Sequence, residues 1–356
     1  MATGPEPPVP VSVVGATGYT GSELIRLVLA HPRLSLGPLV GQSNAGRPVA
    51  DALPSLAGVL PPDQRVAAFD PDRLAEAAPV AFCALPHGAS APAVDALRSR
   101  GVLVLDLSAD FRLADLDEHV RRYGPHGAPD RRGEAVYGLP ELHRESLRNA
   151  DLVAVPGCFP TAAILALAPL LAAGLVHTRG IVVDAKTGAS GAGRAVSAAT
   201  HFSETAEGVR PYKPAGSHRH TPEIIQELTR VAGAPVGLTF TPHLVPMVRG
   251  ILATCYGTLS AQGTDAATLT AAARERFADA PAVAVLPTGA LPGTQAVRGG
   301  NRVQLSYAVD PGAGVAVAFA AIDNLVKGAA GQAVQCLNLR LGWPELLGLD
   351  AAPVWP

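Results

Sequence analysis

The fold of this chain is decided near its start, by Val9-Pro-Val-Ser-Val-Val-Gly-Ala-Thr-Gly-Tyr-Thr-Gly-Ser-Glu-Leu-Ile-Arg-Leu-Val-Leu-Ala30. The β-branched run at Val9 to Ala16 stops at glycine, as a buried strand does. Thr20 and Glu23 have the spacing of a capping box, and the apolar residues that follow recur on one helical face. The stretch therefore predicts a strand, a glycine-rich turn and a helix.

The turn has the spacing G-x-x-G-x-x-G and not the dinucleotide pattern G-x-G-x-x-G. A turn that merely needs positive φ would also explain its glycines. Its place between a strand and a helix favours cofactor binding, because backbone N–H groups there can approach a pyrophosphate at the positive end of the helix. The candidate contacts are Gly15, Thr17, Gly18, Tyr19, Thr20 and Gly21.

The second predicted strand, Leu34 to Val40, is followed by a loop that indicates which dinucleotide binds. NAD binding usually needs an acidic residue there for the ribose 2′-hydroxyl. The loop from Gly41 to Arg47 has none. Ser43 and Arg47 can instead hold a 2′-phosphate, so the sequence favours NADP, although an ordinary polar loop is the plain alternative.

The strand–helix rhythm returns twice more and predicts a Rossmann-type doubly wound parallel sheet, an α/β fold. Its further strands are expected at Val80 to Leu85, Val102 to Leu107 and Leu152 to Val155. The second half favours an α+β substrate and oligomerisation domain, with strands at 181–184, 236–240 and 252–259 and a hairpin of 303–309 with 315–321. The expected domains are 1–156, completed by 323–356 as the dinucleotide-binding domain, and 157–322 as the catalytic domain.

Composition narrows the possible partners and compartments. The 356 residues carry 28 Lys+Arg and 30 Asp+Glu, so no nucleic-acid partner is expected. The four cysteines form no C-x-x-C pair, which argues against a metal site and for a reduced chain. The apolar stretch from Thr161 to Val176 is too short for a membrane span and predicts a buried helix. Met1 to Pro10 does not read as a signal peptide, and a soluble cytoplasmic protein is expected.

The most informative turn is Val153-Ala-Val-Pro-Gly-Cys-Phe-Pro-Thr161, where a strand ends and an apolar helix begins. Pro160 suits the first helical turn. The helix dipole stabilises the thiolate of a cysteine at this place, as a nucleophile requires. We therefore predict that Cys158 is the nucleophile. A buried, inert thiol is the usual alternative and fits Cys83, Cys255 and Cys336.

A second helix start, Ser217-His-Arg-His-Thr-Pro-Glu-Ile224, carries two histidines. Thr221 can cap the helix and Pro222 can open it, which fixes His220 beside a rigid element. An imidazole there can supply a proton to a developing oxyanion or activate a thiol. The alternatives are metal binding, for which no third ligand is evident, and a surface capping segment. Sequence alone does not separate His220 from His218 as the acid/base.

Three further loops carry candidate ligands. Pro86, His87 and Gly88 follow a sheet strand at the edge where open α/β sheets bind ligands. Arg112 follows the next strand and can bind a phosphate or carboxylate through two hydrogen bonds. The glycine loop from Thr187 to Arg194 can approach a cofactor, or can be a simple connection.

Taken together, these motifs resemble the N-acetyl-gamma-glutamyl-phosphate reductases of arginine biosynthesis, a family within the semialdehyde dehydrogenase superfamily. The matching stretches run in family order over nearly the whole chain: GATGYTG at 15–21, LPHG at 85–88, SADFR at 108–112, YGLPEL at 137–142, VPGCFPTA at 155–162, TGASGAGR at 187–194, HRHTPEI at 218–224 and AIDNLVKGAAGQAVQ at 321–335.

The resemblance implies NADPH-dependent reduction of an acyl phosphate to a semialdehyde through a thioester on a cysteine. It assigns the nucleophile to Cys158 and the acid/base to His220. It places Gly188, Ser190 and Gly191 near the nicotinamide, with Asn324 and Leu325 also beside the cofactor. Arg112, His218 and Glu223 are expected to bind substrate. A homo-oligomer, dimer or tetramer, is implied, and no metal or membrane partner is expected.

Three rival functions stay open at this point. The homologous reductase of lysine biosynthesis acts on a carrier-bound aminoadipyl phosphate and needs a basic surface patch, which is not evident in the sequence. Aspartate-semialdehyde dehydrogenase shares the chemistry but differs around the cysteine and histidine. A non-catalytic NADP-binding regulator would not need both Cys158 and His220 in helix-start turns.

Overall fold

The computed structural model describes residues 7–355, so the expectation for Met1 to Pro10 lies largely outside the described residues. The chain forms two compact units. The first unit comprises the chain up to Leu139, His143–Val155 and Ala330–Leu349, and the second comprises Pro140–Leu142, Pro156–Ala329 and the residues after Leu349.

The first half of the chain alternates strands and helices. Its strands are β1 (Val9–Val14), β2 (Leu34–Val40), β3 (Val80–Cys83), β4 (Leu103–Asp106), β5 (Ala135–Tyr137) and β6 (Leu152–Ala154). Its helices are α1 (Tyr19–Ala30), α2 (Val49–Ala52), α3 (Pro71–Ala77), α4 (Ser90–Arg98), α5 (Leu116–Tyr123) and α6 (Pro140–Leu147), the last kinked at His143.

The second half continues with β7 (Ile181–Thr187), β8 (Arg210–Pro211), β9 (Leu238–Leu244), β10 (Ile251–Thr258), β11 (Val283–Val285), β12 (Val303–Asp310) and β13 (Val315–Ile322). Its helices are α7 (Cys158–Ala172), α8 (Phe202–Thr205), α9 (Thr221–Ala232), α10 (Ala266–Arg276), a π-helical turn (Val326–Ala330) and α11 (Gly331–Arg340). Short 3₁₀ turns lie at Gln42–Asn44, Pro54–Leu56, Pro129–Glu134, Ala189–Ala192, Ala198–Thr200 and Thr294–Ala296.

The first unit is built on a six-stranded parallel sheet with the order β2-β1-β3-β4-β6-β5. The chain leaves β1 for β2 on one side and returns to β3 on the other, so the order of strands reverses between β1 and β3. Ligands of open α/β sheets bind at the carboxyl ends of the strands at such a point. The predicted doubly wound α/β fold is confirmed.

The start of α1 differs from the prediction. The helix begins at Tyr19, and Gly18 is its N-cap, with no side chain hydrogen-bonded to the first turn. The capping box of Thr20 and Glu23 was therefore wrong, because Thr20 already lies inside the helix. Glu23 is buried and pairs with Arg26 instead, at 2.9 Å from Nε. The consequence is a helix N-terminus whose N–H groups are not covered by a cap.

The second unit has a mixed seven-stranded sheet in the order β11-β12-β13-β10-β7-β9-β8. The predicted hairpin is confirmed: β12 and β13 pair antiparallel from Gln304–Ala321 to Asp310–Val315. The predicted apolar helix is also confirmed as α7, whose residues from Phe159 to Leu171 are all buried. Because α7 is apolar on every side, it forms the core beneath β10, β12 and β13.

The helical stretch expected from Ile322 to Leu341 is divided. β13 runs to Ile322, the π-helical turn follows, and α11 begins only at Gly331. α11 belongs to the first unit, where Gln332 donates to the Gly138 carbonyl at 2.7 Å and Asn338 contacts His31 at 3.1 Å. Among the described helices, none has both the length and the apolarity that a membrane crossing needs.

Candidate active site

The glycine turn after β1 can be formed only by glycine at two positions. Gly15 has φ of +87°, and a Cβ there would lie 2.4 Å from the Ala84 carbonyl oxygen. A Cβ on Gly21 would lie 2.2 Å from the Gly15 carbonyl oxygen. The turn therefore packs directly on the end of β3 and on the start of α1. With the uncapped helix N-terminus behind it, this arrangement fits a pyrophosphate.

The loop after β3 is held by one buried carboxylate. Asp110 accepts the Gly88 N–H at 2.8 Å and the Ala91 N–H at 2.9 Å. Gly88 has φ of +81°, while Pro86 and His87 are exposed. The predicted Pro86–Gly88 loop thus stands at the carboxyl edge of the sheet beside the glycine turn, and Asp110 is a residue that sequence reasoning missed.

A second buried carboxyl supports the same edge. Asp106, at the end of β4, accepts from the hydroxyls of Ser90 and Ser108 at 2.5 and 2.6 Å. Burial raises the pKa of Asp106 to about 6, although these hydrogen bonds oppose the shift. The serine that opens α4 is thereby tied to the strand below it.

The loop after β2 contacts the glycine turn. Asn44 donates to the Thr17 hydroxyl at 3.2 Å. Ser43 and Arg47, the predicted 2′-phosphate ligands, are both exposed. Arg65 also reaches this loop and donates to the Gly46 carbonyl at 2.7 Å. It adds a second guanidinium that the sequence did not point to, because it lies in a separate loop.

Cys158 is the first residue of α7, as predicted, and Gly157 is the N-cap. The Gly157 N–H donates to Oε1 of Glu223 at 2.8 Å. Glu223 is 1% exposed, so a buried carboxylate fixes the backbone next to the thiol. This holds the cysteine turn against the start of α9. The contact of Glu223 with substrate stays a prediction.

The four cysteines differ in access. Cys158 is half-buried, whereas Cys83, Cys255 and Cys336 are buried. Burial raises the pKa of Cys255 to about 12 and that of Cys83 well above its usual range. These two thiols stay protonated near neutral pH, so of the three the thiol placed for nucleophilic attack is Cys158.

The two histidines of the second turn have different surroundings. His218 is 6% exposed and its ring packs between Phe159 and Phe240, at centroid distances of 5.7 and 5.1 Å. Its Nδ1 accepts the His220 N–H, so in the neutral ring the proton lies on Nε2. His220 is half-buried and its ring lies 4.8 Å from that of His218.

The predicted cap of this helix was displaced by one residue. α9 begins at Thr221, and His220 itself is the flanking N-cap residue, without a side-chain cap. Pro222 then occupies the second helical position and not the first. His220 is therefore held at the helix start more directly than the sequence indicated.

Tyr212 is a further residue of this cluster, and sequence reasoning did not identify it. Its ring lies 5.8 Å from that of His218. Burial raises the pKa of Tyr212, and the charge of Cys158 raises it further while Arg219 lowers it. The phenol is thus a neutral hydrogen-bond donor close to the thiol. Lys213 and Ala215, at φ of 42° and 54°, form the strained turn between it and the histidines.

The glycine loop after β7 is tightly built and is no simple connection. A Cβ on Gly188 would lie 2.5 Å from the Val248 carbonyl oxygen. Asn324 donates to the Ser190 hydroxyl at 3.0 Å and accepts the Gly250 N–H at 2.7 Å. The structure therefore brings the predicted cofactor residues Gly188, Ser190, Gly191 and Asn324 together, with Leu325 adjacent in the chain.

Arg112 is 9% exposed and donates to the carbonyl oxygens of Val155 and Leu107, at 2.7 and 2.8 Å. Its guanidinium thus links the segments that follow strands β4 and β6. A direct contact with substrate stays a prediction. Among residues 7–355, no three His, Cys, Asp or Glu side chains are grouped as metal ligands would be.

Two family models match this chain. The semialdehyde dehydrogenase NAD binding domain matches residues 10–150, and the semialdehyde dehydrogenase dimerisation domain matches residues 158–324. The structure is also similar to aspartate semialdehyde dehydrogenase II from Vibrio cholerae, with a TM-score of 0.71 at 17% identity over 95% of this chain and 99% of that one. At this identity the likeness shows the fold alone.

Curated relatives share much more of the sequence. The N-acetyl-gamma-glutamyl-phosphate reductase of Geobacter sp. (strain M21) is 47% identical over 97% of this chain and 99% of its own length. The proteins of that name from Symbiobacterium thermophilum and Pseudomonas aeruginosa are 49% and 47% identical, over 97% and 98% of this chain. This chain therefore belongs to the N-acetyl-gamma-glutamyl-phosphate reductase family of the semialdehyde dehydrogenases.

Proposed function

We infer that this protein uses NADPH to reduce N-acetyl-gamma-glutamyl phosphate to N-acetyl-glutamate 5-semialdehyde, with release of phosphate, in arginine biosynthesis. The observation that carries this function is the half-buried Cys158 at the N-terminus of α7. The ring of the next residue, Phe159, packs against both His218 and His220, and Tyr212 packs against His218. The near full-length relatives support the substrate, and they do not favour the aminoadipyl or regulatory alternatives.

The first step is acyl transfer to the thiol. The Cys158 thiolate attacks the carbonyl carbon of the acyl phosphate, and the C–O bond to phosphate breaks, leaving a thioester. The N-terminus of α7 stabilises the thiolate, and its N–H groups are suited to the oxyanion that develops. Tyr212, a neutral phenol in this cluster, is a further donor for this charge.

The second step needs a proton at the substrate oxygen. Bound NADPH would supply the hydride for this reduction. The thiohemiacetal on Cys158 then returns its hydroxyl proton to the acid/base and expels the thiolate to give the aldehyde. His220 is the proposed acid/base because its ring is half-buried and not enclosed like that of His218. Imidazole is the side chain whose ordinary titration lies closest to neutral pH, so it can both hold and release this proton.

The chain's own residues fit the cofactor. The Gly15–Gly21 turn and the uncapped start of α1 suit the pyrophosphate, and the two arginines at the β2 loop, Arg47 and Arg65, suit a 2′-phosphate. The cofactor is NADP, and individual contacts of Ser43, Arg47, Pro86–Gly88 and Gly188–Gly191 with it are our proposal. We also propose the domain division at 156/157 and 322/323. The compact units change close to the first of these boundaries, at 155/156, and seven residues after the second, at 329/330.

The second unit is the part that supports self-association, and we propose a dimer or a tetramer of it. Helices α7, α9 and α10 pack on its sheet. Two large apolar side chains of the sheet, Val182 and Tyr256, are 40% and 38% exposed to solvent. Light scattering on a sizing column tests this: a monomer at micromolar concentration would contradict it.

Use of NADPH and four reduced cysteines favour the cytoplasm as the compartment of this protein.

The deciding experiment is a comparison of acyl phosphates. We expect NADPH oxidation, measured as the decrease in NADPH absorbance, to depend on N-acetyl-gamma-glutamyl phosphate. One phosphate should be released for each NADPH oxidised. Aspartyl phosphate and carrier-bound aminoadipyl phosphate are the matched alternatives. Faster turnover with either one would reassign the substrate, and no turnover with any would favour a regulatory protein.

A further inference from the structure

A glycine outside the sequence motif of the nucleophile lies directly against it. A Cβ placed on Gly328 would be 2.8 Å from the Cβ of Cys158 and 3.3 Å from its Cα. Real Cβ atoms do not approach so closely, so only glycine fits at this position. Gly328 is also buried. Because it packs directly against Cys158, the cysteine cannot shift toward Gly328.

Gly328 lies in an unusual piece of backbone. Val326–Ala330 is a π-helical turn, and the Gly328 N–H donates to the Asp323 carbonyl at 2.9 Å. Single π turns are rare and occur often at functional sites. The turn therefore sets the distance between the end of β13 and the cysteine.

The start of this turn is fixed by the Asp323 side chain, which is 0% exposed. Its Oδ1 accepts the N–H groups of Leu325 and Val326 at 2.8 and 3.1 Å. Its Oδ2 accepts the Gly299 N–H at 2.7 Å and lies 3.2 Å from Nε of Arg249. Oδ1 thus holds the backbone just before Gly328, while Oδ2 fixes the Asp323 side chain against Gly299 and Arg249.

The middle of the turn is fixed by a buried ion pair. Lys327 Nζ lies 2.6 Å from Oε1 of Glu141, and both side chains are 0% exposed. A buried charge left without its partner is strongly destabilising, so each member holds the other in place. Because Lys327 and Gly328 are consecutive, the ion pair restrains the backbone that touches Cys158.

We propose that Gly328 and the Lys327–Glu141 ion pair are positioning residues for the nucleophile: they form a rigid backing that fixes the Cys158 thiol for attack on the acyl phosphate. The hydrogen bond from the Gly157 N–H to Glu223 independently fixes the residue that precedes the cysteine. The inference rests on the proposed function, and it acts through Cys158 with no contact to substrate.

Gly328→Ala is the first test. The added methyl group must displace Cys158, and a misplacement of about 1 Å costs about 10²-fold in rate, so we expect kcat to fall by that order with KM for NADPH unchanged. Gly237→Ala, in the same unit, is the matched control, because its Cβ would meet its nearest atom at 3.9 Å. Wild-type kcat in Gly328→Ala would overturn the proposal.

The ion pair is tested by comparing single and double variants. Lys327→Met and Glu141→Leu each leave a buried charge and are expected to lower Tm, whereas the double variant removes both charges and should regain Tm. We expect the double variant to keep a lowered kcat, because the ion pair no longer restrains the backbone at Gly328 that contacts Cys158. A double variant that regains both Tm and kcat would show that the pair is only structural.

A readout without substrate separates this inference from the proposed function. The pH profile of iodoacetamide alkylation at Cys158, measured in cofactor-free protein, should be displaced in Gly328→Ala and in the double variant but not in Gly237→Ala. Profiles that coincide with wild type would contradict the positioning role. A wild-type protein that never oxidises NADPH would instead contradict the proposed function, while the alkylation profiles still decide the positioning.

Discussion

The backbone N–H of His220 donates to Nδ1 of His218 at 3.1 Å, so the two rings of one turn are not equivalent. His218 uses one nitrogen to hold the turn, whereas His220 is the half-buried ring at the helix start. We expect His220→Asn to lower kcat by about 10²–10⁴-fold with little change in NADP affinity, because a proton-transfer group is lost.

The matched variant is His218→Asn, which should mainly raise KM for the acyl phosphate and lower Tm, because a buried ring among Phe159, Tyr212 and Phe240 is removed. Steady-state kinetics and thermal melts of both variants check the assignment. A larger loss of kcat in His218→Asn would reverse it.

Cys158→Ser should abolish turnover and leave folding and NADP binding intact. The hydroxyl stays protonated near neutral pH and is a much poorer nucleophile than a thiolate. Mass spectrometry of the native wild-type protein should find alkylation at Cys158 well before Cys83, Cys255 and Cys336, which are buried. Retained activity in Cys158→Ser would exclude the thioester route.

Arg47→Ala should weaken binding of NADP and leave binding of NAD unchanged, because a 2′-phosphate contact exists only in the phosphorylated cofactor. Arg65→Ala is the natural comparison, since Arg65 reaches the same loop through the Gly46 carbonyl. Dissociation constants for both cofactors, measured by fluorescence titration, decide between the two arginines. An equal loss for NAD and NADP would place both side chains away from the phosphate.

Acid should destabilise the first unit through His119. Burial, and next the charge of His126, lower the pKa of His119 from 6.5 to about 4. The unfolded chain therefore binds the proton first, and stability is lost as the pH falls from 6.5 to about 4, by up to roughly 3 kcal/mol. His119→Phe should reduce this loss when urea unfolding is compared at neutral pH and in mild acid.

The comparison with wild type at each pH is essential, because Asp106 acts in the opposite sense. Its pKa is raised from 3.8 to about 6, so the folded state takes up a proton between these values and gains stability as the pH falls. The difference between the unfolding free energies of wild type and His119→Phe at each pH therefore isolates the contribution of His119. A difference in unfolding free energy that does not change with pH would show that His119 titrates normally.

The sequence predicted those parts of the site that depend on local backbone. Gly15 and Gly21 were identifiable because close packing of a strand and a helix leaves no room for a side chain, and this appears in the sequence as glycine. Cys158 was identifiable because a helix start after Pro-Gly is a local pattern. The exact caps were not, because Gly18 and His220 took the positions expected for Thr20 and Thr221.

The parts that the sequence did not reveal depend on residues far apart in the chain. Glu141 and Lys327 are 186 residues apart, and neither belongs to a local pattern that indicates an ion pair. Tyr212 packs against His218, and a strained turn at Lys213 and Ala215 lies between them in the chain. Such contacts follow from tertiary packing, which periodicity and capping rules do not describe.

The membership of α11 in the first unit has a consequence for synthesis. Its residues follow Val155 by about 175 positions, which a ribosome adds in roughly 10–35 s at about 5–20 residues per second. During that interval the sheet of β1 to β6 is present, but Gln332 and Asn338 are not yet available to Gly138 and His31. Synthesis of the dinucleotide-binding unit therefore starts before that of the second unit. The first unit becomes complete only after nearly all of the second unit has been synthesised.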